Sequence, residues 1–137
     1  MALAFVVTLE REIPELAVYA KGKTGKALAR ESNKLDSVAR RKSVEPMSGM
    51  LSESQAALRA QLEADGFDPT KMRLPPERWF DAAQGIMTAL ALAEYVGANL
   101  NDFKQPNPIL RDLKAAEALL TAADAAGVRF HFTKANL

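Results

Sequence analysis

Cysteine is absent from the 137 residues, and histidine and tryptophan occur once each, as His131 and Trp79. Without cysteine there is no disulfide, no thiolate metal site and no cysteine nucleophile, which fits a reducing compartment. A single histidine cannot build a two-histidine metal site, and no thiolate is present to complete one. Aromatic residues make up only 7% of the chain, so stacking platforms for bases are scarce. Long hydrophobic runs are missing too. The segment Met1 to Leu9 lacks the basic start of a secretory signal, and its apolar run is too short to span a bilayer. The apolar-rich stretch Ala82 to Ala98 is interrupted by Gln84, Thr88, Glu94 and Tyr95 and reads as a buried helix. These absences lead us to expect a soluble cytoplasmic protein with no membrane segment, metal or cofactor.

What is present is an ordinary globular composition, 48% apolar and 26% charged. The length fits one domain spanning 1–137, long enough to bury a core without covalent staples. Leu3, Phe5 and Val7 alternate with Ala4, Val6 and Thr8, a period of two that predicts a strand with both faces covered. Leu16 to Ala20 is a candidate second strand. The closing run Val128-Arg129-Phe130-His131-Phe132-Thr133 alternates again, which turns Val128, Phe130 and Phe132 inward and His131 outward.

Between these ends, four helices are predicted. Lys23 to Lys42 carries Leu28, Leu35 and Ala39 on one side, with Val38 at its margin. Ser52-Glu53-Ser54-Gln55 reads as a capping box opening a weakly amphipathic helix that ends near Asp65, with Gly66 as its left-handed terminator. Asp81 is expected to cap the third helix, again with Gln84 three residues later, and the inner stripe of that helix is expected at Ile86, Leu90, Ala93 and Gly97. Ala89, Leu92 and Val96 make its apolar face unusually wide. Gly85 within it costs about 1 kcal/mol relative to alanine, which implies close approach of another backbone. Asn107-Pro108 marks the start of the fourth helix, with Ile109, Leu113, Ala116, Leu120 and Ala123 on one face and Gly127-Val128 as a Schellman ending. The expected fold is therefore α+β, with about four helices packed on a small sheet that includes the N- and C-terminal strands.

Five features carry candidate chemistry, each with a plainer structural reading beside it. Ala17 to Thr24 fits a relaxed phosphate-loop pattern ending Gly22-Lys23-Thr24, but it has little glycine and no following strand ends in aspartate; a turn into a helix suffices. Residues 21–42 hold eight basic side chains against Glu31 and Asp36, a net of +6 against −5 for the rest. Lys26, Arg30, Lys34 and Arg41 would fall within about 80° of one another on a helix, so they could meet phosphates or an acidic protein surface. A solvated helix face is the favoured reading, since charged outer faces are normal. His131 is a candidate general base, read otherwise as a partly exposed strand residue. Trp79 could wall a binding pocket or seal the edge of the core. Asp81 and Glu94 are the candidate acids to accompany His131, with surface exposure the simpler account of Glu94.

Trp79-Phe80-Asp81-x-x-x-Gly85, the Pro/Asn-led helix, the closing Gly-Val-Arg-Phe-His-Phe strand and Gly25-Lys26-Ala27-Leu28-Ala29 together resemble a group of small uncharacterised bacterial cytosolic proteins. The resemblance implies a bacterial cytosolic protein and brings no activity, ligand or catalytic residue with it. Three function classes therefore remain open. The thin catalytic inventory and wide apolar helix favour an interaction module, either a homodimer or a binder of an unidentified protein partner. The alternatives are a nucleic-acid-binding protein using the basic segment 21–42, and a small hydrolase-like or proton-transfer enzyme using a carboxylate with His131.

Overall fold

The alternating segments at the two ends of the chain pair with each other. The computed structural model describes residues 3–13 and 25–136. In it, β1 (Leu3–Leu9) and β2 (Phe130–Asn136) form an antiparallel two-stranded sheet, with Leu3 opposite Asn136 and Leu9 opposite Phe130. The candidate strand at Leu16 to Ala20 and the phosphate-loop-like segment Ala17 to Thr24 lie outside the described residues. Side-chain alternation then sorts the sheet into two faces. Phe5, Phe130 and Phe132 are buried in the core, and Val7 and Leu9 pack against it. Ala4, Val6, Thr8, His131, Thr133 and Ala135 occupy the opposite face.

The core face is closed by α1 (Lys26–Arg30), α2 (Ser32–Arg41), α4 (Ala82–Ala98) and α5 (Pro106–Ala125), while α3 (Gln55–Ala64) buries none of its residues. The main helix contact is between α4 and α5, α1 bridges β1 and α5, and α2 rests on α4. The helix expected over 23–42 is two helices that meet at Glu31, yet Leu28, Leu35, Val38 and Ala39 are all buried as their spacing requires. Ile109, Leu113, Ala116, Leu120 and Ala123 are likewise the buried face of α5. Among the described residues, no helix is long and apolar enough to cross a membrane.

The caps depart from expectation in instructive ways. Ser54, rather than Ser52, caps α3, its hydroxyl accepting from the Ala57 amide at 3.1 Å. Ser52 is used elsewhere. α5 begins at Pro106, one residue before Asn107, with no side-chain cap. Asp81 does precede α4, but its backbone carbonyl accepts from Gln84 while its side chain makes no capping bond. Gly66 and Gly127 adopt φ of 85° and 69° and end their helices with the paired Schellman hydrogen bonds. Ser43 ends α2 with the same bonds at φ 58°, a conformation that costs an L-residue but not glycine.

The inner face of α4 is rotated from the expected one. Ala82, Gly85, Thr88, Ala89, Leu92 and Val96 point inward, whereas Leu90 and Gly97 are exposed. Gly85 sets this phase. A Cβ there would lie 2.5 Å from Phe130 Cζ and 2.9 Å from Leu120 Cδ1. Side chains rather than a second backbone press on this glycine, and the ring of Phe130 occupies the space a methyl would need.

Candidate functional site

The outer edge of β2 organises the polar cluster of the molecule. Phe80 pairs with Phe130, its amide donating to the Phe130 carbonyl at 2.8 Å and its carbonyl accepting from the Phe130 amide at 2.9 Å. Phe80 itself packs against the core. In an extended segment, residues two apart share a face. Sending Phe80 inward therefore places the neighbouring Trp79, and Glu77 with it, on the same side as His131.

There the imidazole is buried, with His131 1% exposed as a residue. Its Nε2 lies 2.7 Å from Glu77 Oε2, and the Trp79 ring sits over it with centroids 4.6 Å apart. The other nitrogen, Nδ1, lies 3.2 Å from the Thr133 hydroxyl and 3.1 Å from the Phe132 carbonyl. The Thr133 hydroxyl is in turn 2.7 Å from that of Thr8 on β1. With neutral imidazole, protons can be ordered in one direction: Thr8 donates to Thr133, Thr133 to Nδ1, and Nε2–H to the carboxylate. With imidazolium, both ring nitrogens donate, to Glu77 and to the Phe132 carbonyl. Either state has a partner for each nitrogen, which is what lets so polar a ring be buried.

His131 is therefore not the partly exposed strand residue expected from its alternation. Its carboxylate partner is Glu77, not Asp81 or Glu94. Asp81 is exposed beside Arg129, and Glu94 is exposed on the outside of α4. Trp79 is only half buried, and its ring packs on His131 rather than joining the core. Glu77, Thr133 and Thr8 were missed. The residues that pair 77–80 with β2 are distant in sequence, so periodicity alone carries no sign of it. Given the Phe80–Phe130 pair, the i, i+2 rule would have found Glu77.

The basic stripe is divided by the fold. The Lys34 ammonium donates to the Asp102 carbonyl and lies 4.9 Å from the centre of the Phe103 ring. The Arg41 guanidinium lies over Tyr95 at 5.3 Å, and the Tyr95 hydroxyl donates to Asp102 at 2.8 Å. These two cations thus tie α2 to the last turn of α4, through Tyr95, and to the turn that follows it, through Asp102 and Phe103. Lys26 and Arg30 instead border a shallow depression with Leu3 and Ala29, and Arg30 also borders one of about 260 Å³ with Glu31 and Lys104. Nearby, the Asp112 carboxylate accepts from the Ala27 amide at 3.1 Å and also from Leu28, supplying a cap that α1 lacks in its own sequence. Burial nevertheless holds the Asp112 pKa above its ordinary value, outweighing the two amides and the nearby arginines. At the other end of the sheet, Arg129 pairs with Glu10 and holds that carboxyl below the usual range.

The outside of α4 is apolar instead. Ala83, Met87, Leu90, Glu94 and Gly97 are all exposed, Met87 at 61% and Leu90 at 49%, and their spacing places them along one line of the helix. Among the described residues, no group of three histidine, aspartate or glutamate side chains is arranged to hold a metal ion. No protein-family model, curated protein or solved structure matches the chain.

Proposed function

We propose that this protein is a small interaction module that associates with a second copy of itself through the outer face of α4. The observation that carries the reading is the outward line Ala83, Met87, Leu90 and Gly97, which turns two large apolar side chains into water. Glu94 is the one charge on that line. A parallel arrangement would set Glu94 against its copy. An antiparallel two-fold arrangement instead lays Met87 on Leu90 and separates the two Glu94 residues by about 16 Å along the axis, beyond a Debye length at physiological salt.

One helix face of about 25 Å by 10 Å covers less than half of the roughly 800 Å² per partner of a standard interface, so the association is weak and reversible. A cytosolic setting belongs to the same reading, supported by the absence of cysteine, which fits a reducing compartment. Sedimentation equilibrium across a concentration series tests it. The wild-type chain should show a dimer that grows with concentration, and Leu90→Lys should remain monomeric. A monomeric wild-type chain at about 1 mM, where even a −4 kcal/mol association would register, overturns the reading.

A second reading rests on the Glu77–His131–Thr133 arrangement, in which a carboxylate orients an imidazole that touches a hydroxyl. It makes the protein a hydrolase-like enzyme with His131 as base. Hydrolysis of an activated acetyl ester that disappears in Thr133→Val supports this reading, and hydrolysis unchanged by that substitution removes it.

A further inference from the structure

Segment 53–79 stands apart from the rest of the molecule. Neither the buried core nor the apolar side chains packed against it include any residue between Leu51 and Phe80. α3 buries nothing, and its principal packing partner is the short 3-10 turn Pro69–Lys71 within the same segment. The segment is closed on itself. Gln55 Nε2 donates to the Pro75 carbonyl at 3.4 Å, and at its root the Arg78 amide donates to the Ser52 hydroxyl at 2.7 Å. Its two feet are fixed to β2, where Ser52 donates to the Phe132 carbonyl at 2.9 Å and Phe80 pairs with Phe130. Among the described residues, the side-chain hydrogen bond that crosses from 53–79 to the body beyond its own feet is Glu77 to His131.

We infer that residues 53–79 are a hinged arm that opens as a unit between Ser52 and Phe80, with the Glu77–His131 bond and the Trp79 stack as its catch. The energetic ground is the contrast between the two parts. The body is held by a continuous core, while beyond the contacts of Arg78 with the feet Ser52 and Phe80 the arm is held to it, among the described residues, by one charge-assisted hydrogen bond and one aromatic contact, and regions with few buried contacts open below the global unfolding free energy. Opening lifts Glu77 and Trp79 together, because they share one side of the extended root. It uncovers the single imidazole of the chain. The inference does not depend on self-association through α4.

Hydrogen exchange read by mass spectrometry, together with the emission of the single tryptophan, tests the catch. In the wild-type chain, amides of α3 should exchange faster than those of α5, without waiting for global unfolding. Glu77→Ala should speed exchange at the Arg78 amide by about tenfold, the expected cost of one partly exposed charge-assisted hydrogen bond, and move Trp79 emission to the red, with α5 unchanged. Glu77→Gln keeps an acceptor for Nε2–H and should show a smaller effect. The inference is overturned if α3 and α5 exchange together in the wild-type chain. It is equally overturned if Glu77→Ala accelerates all regions alike, or leaves both the Arg78 amide and Trp79 unaltered. Should Glu77→Ala not fold, the wild-type comparison of α3 with α5 and the Glu77→Gln variant still decide.

Discussion

Two glycines on one helix should respond to the same substitution with opposite signs. On α4, a solvated glycine replaced by alanine gains up to about 1 kcal/mol of helix propensity. At Gly97 nothing among the described residues lies within 4 Å of the added methyl, and the site is one residue from the end of α4, so about half of that gain is expected. At Gly85 the methyl would lie 2.5 and 2.8 Å from Phe130 ring atoms and 2.9 Å from Leu120 Cδ1. Both neighbours are fully buried, so neither can swing into water to make room.

Overpacking of this kind costs about 1–3 kcal/mol, and with three such contacts the upper part of that range applies. After the propensity gain, Gly85→Ala should destabilise the protein by about 1–2 kcal/mol, a fall of roughly 3–8 °C in Tm for a chain of this size. Urea titrations followed by far-UV circular dichroism read both variants on the same footing. Phe130→Leu should then cost less in the Gly85→Ala background than in the wild type, since the shorter side chain relieves the clash. A Gly85→Ala variant as stable as the wild type, or both glycine variants shifting the same way, would refute the packing argument.

Two further predictions concern helix ends. Ser43→Gly should raise stability by about 1 kcal/mol, because only glycine adopts φ near 58° without steric cost, and Ser43→Val should lower it; thermal denaturation distinguishes them. Asp112→Ala leaves the Ala27 and Leu28 amides without their acceptor and should cost about 1–2 kcal/mol, whereas Asp112→Asn keeps an acceptor. The pKa of Asp112 is raised in the folded protein, so above the ordinary 3.8 the native state binds more protons than the unfolded chain, and stability falls as pH rises through that window. Asp112→Asn removes this fall. Its stability relative to wild type should climb as pH rises above 3.8 and level off toward neutrality, and a flat difference across that range would exclude the assignment.

The readable parts of the sequence were those governed by local rules. Period-two alternation placed Phe130 and Phe132 in the core, and the i, i+3, i+4 spacing gave the buried face of α5 from Ile109 to Ala123. Gly66 and Gly127 marked helix ends because positive φ is a property of single residues. α4 was harder, since apolar residues surround it and leave no polar face to fix its rotation. Its phase is set by the fit of Gly85 against Phe130, a contact between residues 45 positions apart. The polar cluster was illegible for the same reason. His131 and Trp79 could each be named, but Glu77 joins them only through the pairing of Phe80 with Phe130. The basic stripe illustrates the converse: its spacing was visible, while the docking of Lys34 and Arg41 on Phe103 and Tyr95 depends on tertiary approach.

A chain without cysteine allows a direct test of the face assigned to self-association, because a single introduced thiol has no competitor. Met87→Cys and Leu90→Cys can be mixed and oxidised gently at about 100 μM, within reach of a weak interface, with the exposed Lys114→Cys on α5 as reference. Antiparallel apposition of α4 requires rapid formation of the mixed Met87→Cys/Leu90→Cys disulfide and little dimer from Lys114→Cys. Cross-linking no faster at 87 and 90 than at 114 would contradict it.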